Sequence, residues 1–261
     1  MFQRLLAHAR RRARSAIALA GVGVMMAATI TPLSGFAAAP TSLCAATDTQ
    51  CVITFGNARI AERQAALSKL NSHVSAAFTA GHITSADNSA LVGDISTNES
   101  GLTTLKSQLD SASDARAARA DVKLIYTQFR IYAVALPRDY HELWLDMIIH
   151  VDARLKGAEP VIQDAINGAP SGVQAQANSL FADYQSQVST AEAQTQAAQG
   201  VLPQLTTASF NASVTAYQTQ FGSFKTDIQT AHTATKQAIS DLHQIVHLLK
   251  SADAATATPA A

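Results

Sequence analysis

Glu142, Asp146 and His150 have side chains whose types and spacing come closest to a metal site. They are four residues apart, so an α-helix would place all three on one stripe. Carboxylate and imidazole groups in such an arrangement can ligate zinc. The simpler interpretation, which we favour, is a core helix whose carboxylates pair with arginines of neighbouring helices or face a solvent gap.

The same region could instead form an apolar pocket beside a proline kink. Aromatic residues are concentrated here, and a pocket of this kind needs apolar walls with a few polar groups. The helix around Trp144 is apolar on most faces, which is typical of a central helix covered by its neighbours. The candidate pocket residues are Tyr126, Arg130, Pro137, Tyr140 and Trp144.

His243 and His247 form a second pair at metal-ligand spacing. Leu242 and Ile245 occupy the apolar seam of the same predicted helix, so both histidines are expected on its outer face. Exposed imidazoles can hold adventitious metal or titrate near neutral pH. We therefore predict no built metal site and no cofactor.

No arrangement typical of an enzyme is readable in the chain. His141-Glu142 is not a zincin motif, because position 145 is leucine. There is no glycine-rich phosphate loop, and no Ser-His-Asp or Cys-His pattern can be recognised. The prediction is a protein without catalytic residues.

Cys44 and Cys51 lie close together, and outside the cytoplasm such a pair is most simply a disulfide. Zinc would need further ligands nearby. A redox pair would need the shorter C-x-x-C spacing. A lipid-modified cysteine usually follows small residues, whereas Leu43 precedes Cys44.

Hydrophobic periodicity predicts an all-α fold, an elongated antiparallel helical bundle with coiled-coil-like heptad seams. We expect residues 40–47 to be a disulfide-stapled segment and residues 48–250 to be the bundle, with a sub-boundary near 168–172. Residues 251–261 are expected to be a disordered tail. The predicted helices are 48–80, 85–110, 113–136, 138–167, 172–199 and 206–250.

Four local features of these helices are predicted. Thr47 with Gln50, Thr84 with Asp87, and Ser171 with Gln174 are expected to cap helix starts. Gly81 is a natural C-terminal stop. The apolar phase continues across Pro137, which favours a kinked continuous helix over a turn. From Phe210 to Leu249 the seam alternates spacings of four and three, which predicts one rod of nearly six heptads.

The first 39 residues have the order of an export signal. Five arginines and no acidic residue come first, an uncharged apolar run follows to about Thr31, and Ala37–Ala39 precede Pro40. A retained membrane anchor is the alternative, but about 17 apolar residues are short for a span. We expect cleavage and a secreted or extracytoplasmic protein, associated with the cell envelope.

Charge excludes some partners of the mature chain. Residues 1–39 hold five of the 19 basic residues and none of the 19 acidic ones, so residues 40–261 carry a net charge of −5. A mildly acidic domain argues against nucleic-acid binding. No later segment is apolar for 18 residues, so no transmembrane span is expected after signal cleavage.

The surface of the second half is predicted to be poor in charge. From Gly172 to Ser240 the charged residues are Asp183, Glu192, Lys225, Asp227 and Lys236. The outer positions are filled by Gln, Thr, Ser and Ala. They form either an ordinary solvated surface or a polar contact surface for another chain or an envelope polymer.

The stretch from Leu67 to about Leu155 resembles uncharacterised exported all-helical proteins of high-GC Gram-positive bacteria. The resemblance is carried by Ala66–Leu70, Gly101–Leu105, and Phe129–Tyr132 with Leu136-Pro137. It implies export and a helical bundle, and it brings no activity and no site residues.

The predicted function is that of a non-catalytic scaffold or interaction module at the cell envelope, with a protein or envelope partner. A second copy of the chain is a further expected partner. A small-molecule or metal-binding carrier, with its pocket beside Pro137, is the alternative. A membrane-active helical protein is less favoured, because the mature chain lacks a long apolar hairpin.

Overall fold

The computed structural model describes residues 44–257, and within this range the chain is all-helical, without a β-strand. The predicted signal segment, and its cleavage or retention as an anchor, lie outside the described residues. Seven α-helices occur in the described range, together with two π-helical turns and one short 3-10 turn. The α-helices are α1 Thr49–Thr79, α2 Ser85–Asp110, α3 Ala115–Leu124, α4 Leu136–Asn167, α5 Ser171–Val201, α6 Thr207–Ala212 and α7 Val214–Ala257.

The contacts divide the described residues into two compact units. The N-terminal unit comprises residues 44–147 and 198–226, and the C-terminal unit comprises residues 148–197 and 227–257. The predicted sub-boundary near 168–172 corresponds to the connection between α4 and α5. It lies inside the C-terminal unit, so the division falls elsewhere.

The core of the N-terminal unit is built by α1, α2 and α3. Heptad positions predicted from the sequence are fully buried on α1, including Ile60, Leu67 and Leu70. Leu102 and Leu109 of α2 are buried in the same cluster. Because burial of each such side chain stabilises by roughly 1.5–3 kcal/mol, these seams are the main source of stability here.

The C-terminal unit has a separate core formed by α4, α5 and α7. Ile166, Tyr184 and Ala238 are buried in it. Tyr184 donates its hydroxyl to the Leu155 carbonyl at 2.5 Å, which satisfies its polar end inside the core. Several core positions are alanine, which allows close helix approach but buries less area per residue.

The interruption predicted at Pro137 occurs at Arg130 instead. Two π-helical turns, Ile125–Phe129 and Ile131–Ala135, flank Arg130, whose φ of 49° is left-handed. Pro137 is the second residue of α4, which follows directly on the π-helical turn Ile131–Ala135. The helix therefore continues across Pro137, as the apolar phase predicted, and the interruption lies seven residues earlier.

The predicted six-heptad rod is also interrupted. Ser213 has extended backbone (φ −158°, ψ 108°) between α6 and α7. Its hydroxyl accepts a hydrogen bond from the Ala216 N–H, so it caps the start of α7. The heptad phase continues through this break, which is why periodicity alone did not reveal it. α7 continues to Ala257, into the segment that the sequence predicts to be a disordered tail.

The predicted capping residues have mixed outcomes. Thr84 and Asp87 form the expected capping box, and Gly81 has the expected left-handed φ of 69° after α1. The N-cap of α1 is Asp48 rather than Thr47, because its carboxylate accepts from the Cys51 N–H at 2.9 Å. At α5 the helix already begins at Ser171, so that residue is not the N-cap.

Gln174 also has a different role from the predicted one. Its side-chain amide donates to the carbonyl of Asn167, the last residue of α4, and to that of Ala169, two residues later. These carbonyls lack intrahelical partners, so the glutamine side chain closes the α4–α5 connection instead of a capping box.

Cys44 and Cys51 are placed as predicted. Their sulfur atoms are 2.10 Å apart, at disulfide distance, and their Cα atoms are 5.7 Å apart. Arg119 of α3 donates to the carbonyls of Cys44 and Ala45, which attaches this loop to the N-terminal unit. Within residues 44–257 no helix is long and apolar enough to cross a membrane.

Candidate functional site

An arginine surrounded by three carboxylates lies where α2 meets the start of α4. The Nε atom of Arg138 donates to Asp139 Oδ1 at 2.7 Å, and its Nη2 donates to Asp94 of α2. Glu142, one turn further along α4, lies 4.0 Å from the same guanidinium. We call Asp94, Arg138, Asp139 and Glu142 the carboxylate cluster.

The side chains of the cluster differ in their exposure to solvent. The side chain of Asp94 is 50% exposed, those of Arg138 and Glu142 are 20% and 16% exposed, and Asp139 is fully buried. Its position follows from helix geometry, since residues 138 and 142 are one turn apart and share a face of α4. The charged groups are thus held on the backbone of two helices, with one edge open to solvent.

The cluster contains three carboxyl groups and one guanidinium, and burial shifts the pKa values of the inner carboxyl groups. Burial raises the pKa of Asp139 to about 6, although Arg138 lowers it in part. Burial also raises the pKa of Glu142 to about 7, with a smaller contribution from Asp139. Burial opposes the charge of Arg138, but its three acidic neighbours outweigh this and raise its pKa.

Two buried polar atoms beside the cluster have no hydrogen-bond partner. They are Asp139 Oδ2 and the hydroxyl of Tyr217, a residue of α7 that is 3% exposed. Burial raises the pKa of Tyr217 to about 12, and the charges of Arg138 and Asp139 also act on its hydroxyl. Buried polar groups are normally paired, so this donor and this acceptor have hydrogen-bonding capacity that the protein itself does not use.

Of the predicted metal ligands, Glu142 alone belongs to this cluster. Within the described residues, the potential ligand group that includes it is Asp94–Asp139–Glu142, not Glu142–Asp146–His150. Asp146 lies in the N-terminal unit, where burial and then Asp87 raise its pKa to about 7. His150 belongs to the C-terminal unit.

The expected ion pairing needs one correction. The arginine that faces Glu142 comes from its own helix rather than from a neighbour, because Arg138 and Glu142 are one turn apart. The neighbouring helix contributes a carboxylate, Asp94, instead. His243 and His247 are both exposed on α7, on its outer face as predicted.

The five predicted pocket residues have different partners. Tyr126 lies under the guanidinium of Arg63, and Tyr140 makes an edge contact with His73. Arg130 donates to Asn211, and its guanidinium lies over the Phe210 ring. The Pro137 carbonyl accepts from Nδ1 of His141, and the Trp144 ring centroid is 6.4 Å from that of His141. These side chains act mainly as packing and anchoring groups.

Sequence reasoning missed Arg63, which is 6% exposed in the N-terminal core. Its guanidinium lies between Tyr126 and Tyr132, 4.8 and 5.1 Å from the ring centroids. One signal was available, because Arg63 is three residues after Ile60 and four before Leu67 on the apolar seam. Its aromatic partners come from a distant segment and could not be read from spacing.

Asp152 is a second buried acid, in the C-terminal unit. It is 4% exposed, and burial raises its pKa to about 7. The hydroxyl of Thr235 is 2.7 Å from Asp152 Oδ1 and 2.9 Å from the Ala231 carbonyl. The Thr235 hydroxyl donates to Asp152 Oδ1, and this bond partly offsets the rise in the pKa of Asp152 that burial causes.

The chain matches no protein-family model, no curated protein and no solved structure. The structure therefore defines the class directly. It is an all-helical protein of two compact units, with a cysteine pair at disulfide distance and an arginine–carboxylate cluster in its N-terminal unit.

Proposed function

We propose that this protein is an exported, non-catalytic helical-bundle protein that acts as a scaffold or interaction module at the cell envelope. Its helices pack antiparallel along coiled-coil-like hydrophobic seams. Its partner is another protein or an envelope component, and a second copy of the chain is an alternative partner.

The outer face of α5 carries this proposal. Among the exposed positions of this 31-residue helix, Asp183 is the charged one, and the others are Gln, Asn, Ser, Thr, Ala and Gly. Glu192, whose side chain is 40% exposed, pairs with Lys156 of α4. A solvated surface usually has about 25–35% charged residues. Neutral polar side chains and alanines lose less hydration energy than charges when a partner covers them. The composition therefore favours a contact surface.

Two further observations support a place outside the cytoplasm. The Cys44–Cys51 pair at disulfide distance is compatible with an oxidising compartment. The basic, apolar and small-residue order of residues 1–39 is typical of an export signal.

The non-catalytic part of the proposal has a structural motivation. Several of the buried polar side chains described here bind one another or the helix backbone, whereas Asp139 Oδ2 and the Tyr217 hydroxyl have no partner. Arg138 pairs with carboxylates, Thr235 bonds Asp152 and its own helix, and Tyr184 bonds a carbonyl. These arrangements resemble structural polar networks more than a nucleophile with its base.

Site-specific photo-crosslinking in intact cells tests the interaction face. A benzophenone amino acid replaces Ser179 or Ser186 on α5, and the same replacement at Ser96 on α2 is the matched control. All three serines are exposed. We expect crosslinks to an envelope component or to a second copy from the α5 positions, and at least fivefold fewer from Ser96.

Equal crosslinking from the three positions would contradict a face on α5. A monomeric protein without any crosslink in the envelope fraction would overturn the interaction role altogether.

A further inference from the structure

We propose that Asp94, Asp139 and Glu142 form a binding site for one divalent cation with calcium-like size and oxygen preference. This inference goes beyond the scaffold role and does not depend on it. It rests on the spacing of the carboxylates, on their charge balance and on two unpaired buried atoms.

The spacing of the ligands fits calcium. One carboxylate oxygen from each residue lies within 4.8 Å of the other two. Calcium–oxygen distances of 2.3–2.6 Å place ligands on opposite sides of an ion about 4.6–5.2 Å apart. Magnesium demands near-ideal octahedral geometry and dehydrates reluctantly, so three carboxylates beside an arginine suit it less well than calcium. This spacing is compatible with three carboxylate oxygens around one calcium ion.

The charge balance calls for two further positive charges. Three ionised carboxylates and one guanidinium have a formal charge of −2. Buried charge is costly unless it is compensated. Two protons or one divalent cation would neutralise the formal charge of −2. The cation would also bind the carboxylate oxygens.

The unpaired hydroxyl of Tyr217 is an indication of a ligand that does not come from the carboxylates themselves. Arg138 occupies Oδ1 of the fully buried Asp139 and leaves Oδ2 without a partner. The buried hydroxyl of Tyr217 is also unpaired, and it is the atom on which the charges of Asp139 and Arg138 act. A cation bound to Oδ2, with its water shell near Tyr217, would satisfy both atoms while Arg138 keeps its own bond.

The site also has an entrance. Asp94 is half exposed and lies on α2, opposite the more deeply buried residues of α4. A hydrated ion can meet Asp94 first and then exchange water for the inner carboxylates. Hard oxygen ligands of this kind favour calcium over softer metals.

Isothermal titration of the tag-free protein, after treatment with EDTA and desalting, tests the site with calcium chloride alone. We expect one equivalent to bind with a Kd of about 10⁻³ M or tighter, the range of extracellular calcium modules. Magnesium chloride should bind at least tenfold more weakly. A calcium-dependent increase in Tm should accompany binding, since the ion binds the folded state.

Variants locate the site. Asp94→Asn and Glu142→Gln should each weaken calcium binding at least tenfold, while Asp183→Asn, at an exposed aspartate of α5, should leave it unchanged. Circular dichroism verifies that each variant is folded, and Asp94→Asn is the safest because its side chain is half exposed. No saturable calcium binding at 5 mM, or an unchanged Kd in Asp94→Asn and Glu142→Gln, would overturn the proposal.

Discussion

At Arg130 the backbone conformation is set by distant contacts and not by the local sequence. Arg130 adopts a left-handed conformation that is normally reserved for glycine or asparagine. Its side chain bonds Asn211, 81 positions away, and covers the Phe210 ring. Asn211 in turn donates to the Thr127 carbonyl. A contact this distant leaves no local signal, which explains why the sequence placed the interruption at Pro137.

Two variants of Arg130 separate the effect of its backbone conformation on stability from the effect of its side-chain contacts. Arg130→Gly and Arg130→Ala both lose the contacts with Asn211 and Phe210, but only glycine adopts a φ of 49° without strain. We expect Arg130→Gly to be about 1 kcal/mol more stable than Arg130→Ala in urea unfolding followed by circular dichroism. Equal stabilities would show that this residue carries no backbone strain.

Asp152 should make the stability depend on pH. Its pKa is about 7 in the folded protein, above the value of about 3.9 expected in the unfolded chain, so the folded state binds the proton more tightly. The stability due to this proton is therefore full below about pH 4 and is lost as pH rises towards 7. Asp152→Asn keeps an oxygen that accepts from the Thr235 hydroxyl, and its amide does not titrate.

Urea unfolding of this variant between pH 5 and pH 8 measures the effect. We expect a smaller loss of stability with rising pH in Asp152→Asn than in the wild type, and no such change in Asp183→Asn. A pH dependence identical to that of the wild type would mean that Asp152 is ionised throughout this range.

At the scale of helices, sequence patterns predicted most of the structure. Apolar spacing placed Leu67, Leu70 and Leu102 in the core, and Thr84 with Asp87 capped α2, since these signals act within a few residues. The break at Ser213 was missed because the heptad phase continues through it. The carboxylate cluster was missed because Asp94 and Arg138 are 44 positions apart and meet only through packing of α2 on α4.

Close packing between helices can be tested at a glycine. A Cβ atom on Gly56 of α1 would lie 2.5 Å from Leu109 and 2.7 Å from Val122, whereas one on Gly93 of α2 would have no neighbour within 4 Å. We expect Gly56→Ala to destabilise by about 1–3 kcal/mol through overpacking. Gly93→Ala should stabilise by roughly 0.5–1 kcal/mol, because alanine is the better helix former.

Equilibrium unfolding of these two alanine variants makes a matched comparison, since both glycines are helical. A stabilised Gly56→Ala protein would show that α1, α2 and α3 approach one another less closely than described.

At the scale of the whole molecule, a helical fold is combined with a proposed location outside the cytoplasm. The Cys44–Cys51 pair bears on both the fold and the location. It closes a short loop at the start of α1, and disulfides persist in oxidising compartments. Closing a loop of this length should stabilise by about 2–3 kcal/mol in the chain-entropy view. We expect the Cys44→Ala/Cys51→Ala protein to lose about this much in urea unfolding, with its helical content unchanged. An equally stable variant would make the cysteine pair dispensable for the fold.

Intact mass spectrometry of the protein recovered from source-cell fractions tests the central claim of an exported envelope protein most directly. The account predicts a chain that begins near Pro40, with both thiols oxidised, in the envelope or culture fluid. A full-length chain with free thiols in the cytosol would contradict it.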